Sequence, residues 1–112
     1  MATRDYSDKQ EKRIANYLGG RVQSGSGATS HQKGDVILDD WLIECKTKTT
    51  ISKNHTLKKE WFEKAHEQSY QMGKSYYALA FDFGDGKDYV AVDLGTFEEL
   101  LELKNILDNA EK

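Results

Sequence analysis

The feature that most constrains this chain is a pair of apolar, β-branched runs, residues 34–38 and 41–47, that flank Asp39-Asp40. Aspartate tolerates the backbone conformations of tight turns, so the pattern predicts a β-hairpin that turns at this pair. Counting outward from a symmetric two-residue turn places Asp35 directly opposite Glu44. The hairpin therefore brings two carboxylates face to face.

Like charges that face each other across a hairpin destabilise the sheet, because their Cβ atoms lie only about 4.5–5.5 Å apart. A divalent cation between Asp35 and Glu44 would offset this repulsion, and carboxylate oxygens suit Mg²⁺, with Mn²⁺ as a substitute. Strand side chains alternate in direction, so Lys46 points to the same face as Glu44, while Cys45 points into the core as an inert thiol. Because a bound metal lowers the pKa of water and stabilises developing charge, this combination indicates phosphodiester hydrolysis.

A purely structural interpretation of these residues competes with the catalytic one. In that interpretation Asp35 begins a strand, and Glu44 and Lys46 are exposed positions of an ordinary alternating strand. Residues 41–43 look buried, however, and charged residues within an apolar strand are seldom found without a partner. This context favours the catalytic interpretation.

The rest of the chain supplies three helices and three further strands. Glycines stop the first two helices, and a glycine-rich turn separates the last two strands. The predicted elements are a helix over 7–18, a strand over 21–24, the hairpin, a helix over 57–72, strands over 75–83 and 88–94, and a helix from Thr96, with Thr96 as its cap. The order αβββαββα predicts an α/β fold, with a central mixed β-sheet flanked by α-helices in a single domain over residues 1–112.

Composition narrows the class of protein further. The single cysteine, Cys45, cannot form an intrachain disulfide. No apolar run approaches the roughly 18 residues of a membrane span, and residues 1–13 lack the apolar core of a signal peptide. We expect a cytoplasmic protein without a membrane partner.

Charge is distributed unevenly along the chain. The net charge is −3, and nine acidic residues with three lysines from Asp82 onward contribute −6, which leaves +3 on residues 1–81. Cations cluster over residues 46–59, where no acidic residue offsets them. The cluster is either a solvated, charged segment or an anion-binding surface, and its position beside the carboxylates favours the second.

Several motifs together resemble the archaeal-type Holliday junction resolvases, a branch of the PD-(D/E)XK nucleases. The likeness covers about residues 8–94 and leaves out the C-terminal helix. It rests on Glu11 within QEKRIANYL, SGSG at 24–27, GDVIL at 34–38, IECKTK at 43–48, and then the helix ending in QMGK and the strands YYALAFDF and YVAVDL.

The resemblance implies a restriction-endonuclease-like domain and assigns a role to each site residue. Asp35, Glu44 and the carbonyl of Cys45 would bind Mg²⁺, Glu11 would complete the metal site, and Lys46 would orient or activate the attacking water. Ser24 or Ser26 would touch the scissile phosphate, although Ser30 lies in the same stretch. The residues assigned to DNA binding are Arg13, Lys33, Lys48, Lys53, Lys58 and Lys59.

The resemblance further implies a homodimer that cuts four-way DNA junctions in a prokaryotic cytoplasm, or in that of a host if a virus encodes it. Alternatives remain open at this point. The chain could be a repair, restriction or replication nuclease of the same fold, a non-catalytic nucleic-acid-binding module, or an interaction protein. The presence of Glu11, Asp35, Glu44 and Lys46 counts against the non-catalytic module.

The C-terminal helix carries apolar residues around more than half of its circumference, at Phe97, Leu100, Leu101, Leu103, Ile106 and Leu107. This pattern indicates either a partner surface or deep packing on the chain's own sheet.

Four ring side chains outside the C-terminal helix also have two interpretations. We expect Trp61 and Phe62 in the core rather than as base-stacking residues. We expect His31 and His55 to be solvated rather than catalytic.

Overall fold

The computed structural model describes residues 3–23 and 35–111. The helices and strands follow one another in the predicted order αβββαββα. They are α1 (Thr3–Leu18), β1 (Arg21–Val22), β2 (Asp35–Ile37), β3 (Trp41–Lys46), α2 (Lys59–Gln71), β4 (Tyr76–Phe81), β5 (Tyr89–Ala91) and α3 (Leu94–Ala110).

The five strands form one mixed sheet in the order β1-β2-β3-β4-β5. Strands β3 and β4 are parallel and are joined through α2, whereas the other neighbours are antiparallel. The hairpin has the predicted register, with Asp35 opposite Glu44 and Ile37 opposite Leu42, and Leu38 N donates to Trp41 O at 3.0 Å. The α/β fold class with a central mixed sheet is therefore confirmed.

The two faces of the sheet present different side chains, and pack against different helices, because side chains alternate along each strand. Helix α1 packs on the face that carries Val36 and Ile43, where Ile14 belongs to the same buried cluster. Helix α2 lies against β3 and β4 on the opposite face, where its Ala65 is fully buried. Asp35 and Glu44 therefore lie on the α2 side of the sheet.

Several predicted boundaries shift in the structure. Strand β1 ends at Val22 rather than at residue 24, which lies outside the described residues, and β5 spans three residues instead of seven. The cap predicted at Thr96 is wrong. Helix α3 begins at Leu94, and its N-cap is Asp93, whose side chain accepts a hydrogen bond from Thr96 N at 2.7 Å. A carboxylate three residues before that N–H satisfies the free helix terminus better than the neighbouring threonine can.

Helix α3 does not flank the sheet in the way the sequence predicted. None of its residues is buried, so deep packing on its own sheet is wrong. The exposed large apolar side chains of α3, here called the α3 apolar surface, are Leu94, Phe97, Leu100, Leu101, Leu103, Ile106 and Leu107.

Helices long and apolar enough to cross a lipid bilayer do not occur in the described part of the chain.

Candidate active site

The predicted carboxylate pair lies at the centre of the site. Asp35 begins β2 and Glu44 lies at the paired position of β3. Both side chains are almost fully buried, with exposed fractions of 1% and 3%. Burial of two carboxylates at paired positions is costly for folding unless cations or protons neutralise them.

Each of these carboxylates has one oxygen to which no other described side chain donates a hydrogen bond. Asp35 Oδ1 and Glu44 Oε2 have no hydrogen-bond partner among the described residues. The other oxygen of Asp35, Oδ2, accepts a hydrogen bond of 2.8 Å from Gln68 Nε2 on α2. Asp35 Oδ1 and Glu44 Oε2 therefore provide carboxylate ligands of the kind that a hard divalent cation needs, since Mg²⁺ commonly takes one or two carboxylates together with waters.

The protonation of Asp35 follows from these surroundings. Burial holds the pKa of the Asp35 carboxyl well above its usual range, and the adjacent Glu44 raises it further. Lys64 and Gln68 act in the opposite direction but do not outweigh burial. Without a metal ion, the pair therefore carries a proton, and a cation that binds there must displace it.

Two ammonium groups approach Glu44. Lys46 Nζ lies 3.6 Å and Lys64 Nζ lies 4.0 Å from Glu44 Oε2. Both distances exceed that of a good hydrogen bond, so the lysines offset the charge of Glu44 without occupying its lone pairs. Lys46 Nζ also lies 4.7 Å from the centroid of the Trp61 ring, a cation–π contact that fixes the ammonium beside the carboxylate.

Glu11 on α1 is buried, with an exposed fraction of 4%. Its neighbour Gln10 donates from Nε2 to the backbone oxygen of Lys46 at 3.1 Å, which ties α1 to the end of β3. Within residues 3–23 and 35–111, however, no group of three or more His, Cys, Asp or Glu side chains is arranged to hold a metal ion. The described geometry thus provides a two-carboxylate site at Asp35 and Glu44, and the assignment of Glu11 as a third ligand stays a prediction.

Cys45 points away from the carboxylates, as its position on β3 predicts. Its side chain packs against the core cluster on the α1 face. Burial, and then the negative charge of Glu11, raises the pKa of the Cys45 thiol far above its usual range. A thiol held protonated in this way is a poor nucleophile, and the backbone carbonyl is what Cys45 could offer to a metal.

Asp82, which sequence reasoning missed, organises the segment that follows Lys46. Its buried carboxylate accepts hydrogen bonds from Thr47 Oγ1 at 2.9 Å, from Lys48 N at 3.1 Å and from Gly84 N at 3.2 Å. Gly84 has a φ of 85°, and a Cβ atom there would collide with the backbone oxygen of Thr50. These contacts fix the chain immediately after β3 and thereby fix the end of β3 itself.

Arg13 is held by acidic residues of the same chain. Its Nε and Nη2 donate to the two carboxylate oxygens of Asp88 at 2.6 and 2.8 Å, and Nη2 also lies 3.2 Å from Asp82 Oδ2. The hydrogen bond to Asp88 raises the pKa of Arg13. The structure gives this residue a role in joining α1 to the β4–β5 end of the sheet, and its assignment to DNA binding stays a prediction.

The predicted DNA-binding lysines differ in their surroundings. Lys53, Lys58 and Lys59 are exposed near the start of α2, whereas Lys48 Nζ donates to Asn54 O at 2.8 Å. The assignments to Ser24, Ser26, Ser30, His31 and Lys33 lie outside the described residues.

The expectation that His55 is solvated is wrong. Its Nδ1 lies 2.6 Å from Asp82 O, and its half-buried ring makes edge contacts with Trp61, Phe81 and Phe83. Trp61 itself is half-buried rather than in the core, because it lies under the Lys46 ammonium at the margin of the sheet.

Two further residues of the site, Lys64 and Gln68, also escaped sequence reasoning. A signal for them was present, because Trp61, Lys64 and Gln68 follow the i, i+3, i+7 spacing of one helix face. Lys64 lies at the exposed edge of this helix face, whereas Gln68 is half-buried, and a half-buried polar group needs a polar partner. That partner is the carboxylate pair.

Comparison with protein-family models, with curated proteins and with solved structures finds no match for this chain.

Proposed function

We propose that this protein is a metal-dependent endonuclease whose active centre is formed by Asp35, Glu44 and Lys46. One observation carries the proposal: Asp35 Oδ1 and Glu44 Oε2 are buried and lack a hydrogen-bond partner among the described residues, beside an ammonium 3.6 Å from Glu44. A buried carboxylate pair that must hold a proton or a cation costs stability, so such a pair indicates a function that needs it.

The chain's own residues have distinct tasks in phosphodiester hydrolysis. Gln68 orients the Asp35 carboxylate through Oδ2 and leaves Oδ1 for a ligand. Lys46, held over Trp61, donates hydrogen bonds to the attacking water or to a phosphate oxygen as negative charge builds up there. A divalent cation bound by the carboxylates would supply Lewis-acid stabilisation and a more acidic water.

The substrate that we propose is branched DNA, in particular a four-way junction, cut by a homodimer in the cytoplasm. The sequence resemblance to archaeal-type resolvases supports this choice, and the exposed lysines Lys53, Lys58 and Lys59 provide cations for the phosphate backbone. Resolution of a junction requires two symmetric cuts, so a small chain with one site needs a twofold partner. Mg²⁺ is the proposed cofactor, with Mn²⁺ as a substitute.

The test is cleavage of labelled duplex, flap, single-stranded and four-way DNA with Mg²⁺, with Mn²⁺ and with a chelator. We expect cleavage that requires the divalent cation, favours the junction and is abolished in Glu44→Gln. The matched control is Glu63→Gln, the same substitution at an exposed position of α2, which should cleave like the parent.

Three outcomes would contradict parts of the proposal separately. Cleavage by Glu44→Gln at the parent rate would overturn the site assignment. Equal cleavage of duplex and junction would overturn the resolvase assignment and leave the nuclease intact. No cleavage of any substrate with either metal would overturn the nuclease proposal itself.

A further inference from the structure

The α3 apolar surface is larger than the apolar patches that a monomer usually exposes. Its seven side chains have exposed fractions from 36% at Leu100 to 81% at Leu94. At about 150–200 Å² for a fully exposed large apolar residue, the helix presents on the order of 600–800 Å². The largest apolar patch of a typical monomer is only about 300–600 Å².

Helix α3 is tethered where it leaves the sheet. The hydroxyl of Tyr77 donates to Asp93 at 2.8 Å, and that of Tyr76 donates to Glu99 at 2.6 Å. Asp93 in turn caps the helix at Thr96 N. These contacts fix the first turns of α3 in the orientation that leaves its apolar side chains uncovered by its own sheet.

The same chain also carries an apolar groove that its own helices do not fill. The groove lies between α1 and β5 and is lined by Ile14, Tyr17, Leu18, Ala80 and Val90, here called the α1–β5 groove. Tyr17 is 89% exposed and Val90 is 58% exposed. Helix α1 packs on β1, β2 and β3, so the β5 side of this face has room for another helix.

We propose that the α1–β5 groove receives α3 of a second copy of this chain, and that the two copies exchange their helices around a twofold axis. When two chains meet, the α3 apolar surface of one copy fills the α1–β5 groove of the other. The second copy makes the same contact in return. The exchange is reciprocal, so the assembly closes as a dimer instead of growing into a fibre.

The areas involved match a stable dimer. If each α3 buries about half of its apolar surface and covers a similar area of groove, two contacts together bury roughly 1,200–1,600 Å², within the range of specific interfaces. A contact in which only the two α3 helices pair is smaller, because two helices meet along one stripe each.

Charge favours the groove over a pair of α3 helices. Between Leu94 and Ala110 the helix has four acidic residues and one lysine, a net charge of −3. Two such helices side by side repel each other. At the rim of the groove Arg13 is paired with Asp88 and Asp82, so the exposed Lys87 is the lining cation that an acidic helix can approach.

The first experiment measures the oligomeric state of the full chain by sedimentation velocity across the micromolar range. We expect a dimer that Leu103→Asp on α3 and Tyr17→Asp in the groove each weaken, raising the dimer Kd by roughly 30-fold or more, the effect of losing an interface hot spot. The matched controls add the same charge to exposed neighbours, Asn105→Asp on α3 and Asn16→Asp on α1, and should remain dimeric.

The second experiment identifies the occupant of the groove by oxidative cross-linking of Val90→Cys with Leu103→Cys. A mixture of the two single variants should give a covalent heterodimer, whereas neither variant alone should cross-link. Cross-linking of Leu103→Cys to itself would instead place α3 against α3. The double variant Val90→Cys/Leu103→Cys should also form covalent dimers. A monomer with an internal cross-link would instead place α3 in its own groove.

Either of those results, or a parent chain that stays monomeric across the concentration range, would overturn the proposal. Circular dichroism of each variant checks that the helices persist, and all four positions changed for the sedimentation experiment are exposed. Because the measurements read assembly and not cleavage, their outcome is independent of the proposed nuclease activity.

Discussion

Asp35 and Glu44 occupy directly paired positions of β2 and β3, and both carboxylates are buried. In this setting the folded chain retains a proton that an unfolded chain would have lost. Stability, metal affinity and the rate of cleavage are therefore coupled to the same pair.

We expect the unfolding free energy of the metal-free protein to fall as pH rises. The raised pKa of Asp35 means that the folded state binds its proton more tightly than the unfolded state. The resulting stabilisation is fully present below about pH 4 and is lost as pH rises through the folded-state pKa. Added Mg²⁺ should therefore raise the melting temperature more at alkaline than at acidic pH, measured by circular dichroism with and without chelator. If Mg²⁺ raised the melting temperature equally at all pH values, Asp35 and Glu44 would not share a proton in the metal-free protein.

Asp35→Asn should make the metal-free protein more stable, most of all at alkaline pH, and should abolish cleavage. The amide keeps the shape of the side chain and cannot acquire the buried charge that Asp35 acquires above its folded-state pKa, a change on the order of 1–3 kcal/mol in favour of folding at alkaline pH. Urea denaturation in chelator measures the gain, and the pH dependence attributed to Asp35 should disappear with it. A variant that unfolds more readily than the parent at alkaline pH would show that other groups neutralise the Asp35 and Glu44 carboxylates.

Lys46→Ala should reduce the cleavage rate by about 10²–10³-fold while DNA and metal binding change little. The ammonium is assigned to charge that develops in the transition state rather than to the ground state. Single-turnover kinetics and equilibrium binding separate the two effects. Lys64→Ala is the matched control, because Lys64 also lies near Glu44 but at 4.0 Å and on α2, and it should lose less activity. Equal losses of binding and rate in Lys46→Ala would reassign the residue to phosphate contact.

Asp82→Asn should destabilise the fold by about 2–4 kcal/mol, because it weakens hydrogen bonds from Thr47, Lys48 and Gly84 to a buried carboxylate. Urea denaturation provides the measurement. Asp85→Asn places the same substitution three residues later at an exposed position and should change stability by less than about 1 kcal/mol. Similar values for both variants would mean that Asp82 does not anchor the segment after β3.

The triple variant Lys53→Glu, Lys58→Glu, Lys59→Glu should bind DNA more weakly and with a shallower salt dependence. Each phosphate contact that is lost reduces the slope of log affinity against log salt by about 0.9. Titrations at several salt concentrations measure the slope. An unchanged slope would place the DNA-binding surface elsewhere.

The hairpin illustrates what the sequence by itself determined. A two-residue turn at Asp39-Asp40 fixes the register of both strands, and the period of two along a strand fixes which side chains share a face. The opposition of Asp35 and Glu44, the position of Lys46 beside them and the inward direction of Cys45 all follow from these local rules. The order of helices and strands could also be predicted from local sequence, since each segment has its own periodicity and its own stop signal.

The remaining features depend on which distant segments meet, and only the tertiary structure decided them. Gln68 contacts Asp35 because α2 packs against β3 and β4 on the face that carries the carboxylates. Asp82 reaches Thr47 because β4 runs parallel to β3. The cap of α3 is Asp93, which Tyr77 of β4 also holds. The apolar pattern of α3 indicates that something covers it, but periodicity describes a helix face and not its partner. Helix α3 points away from its own sheet because tertiary contacts of Tyr76 and Tyr77 fix its first turns.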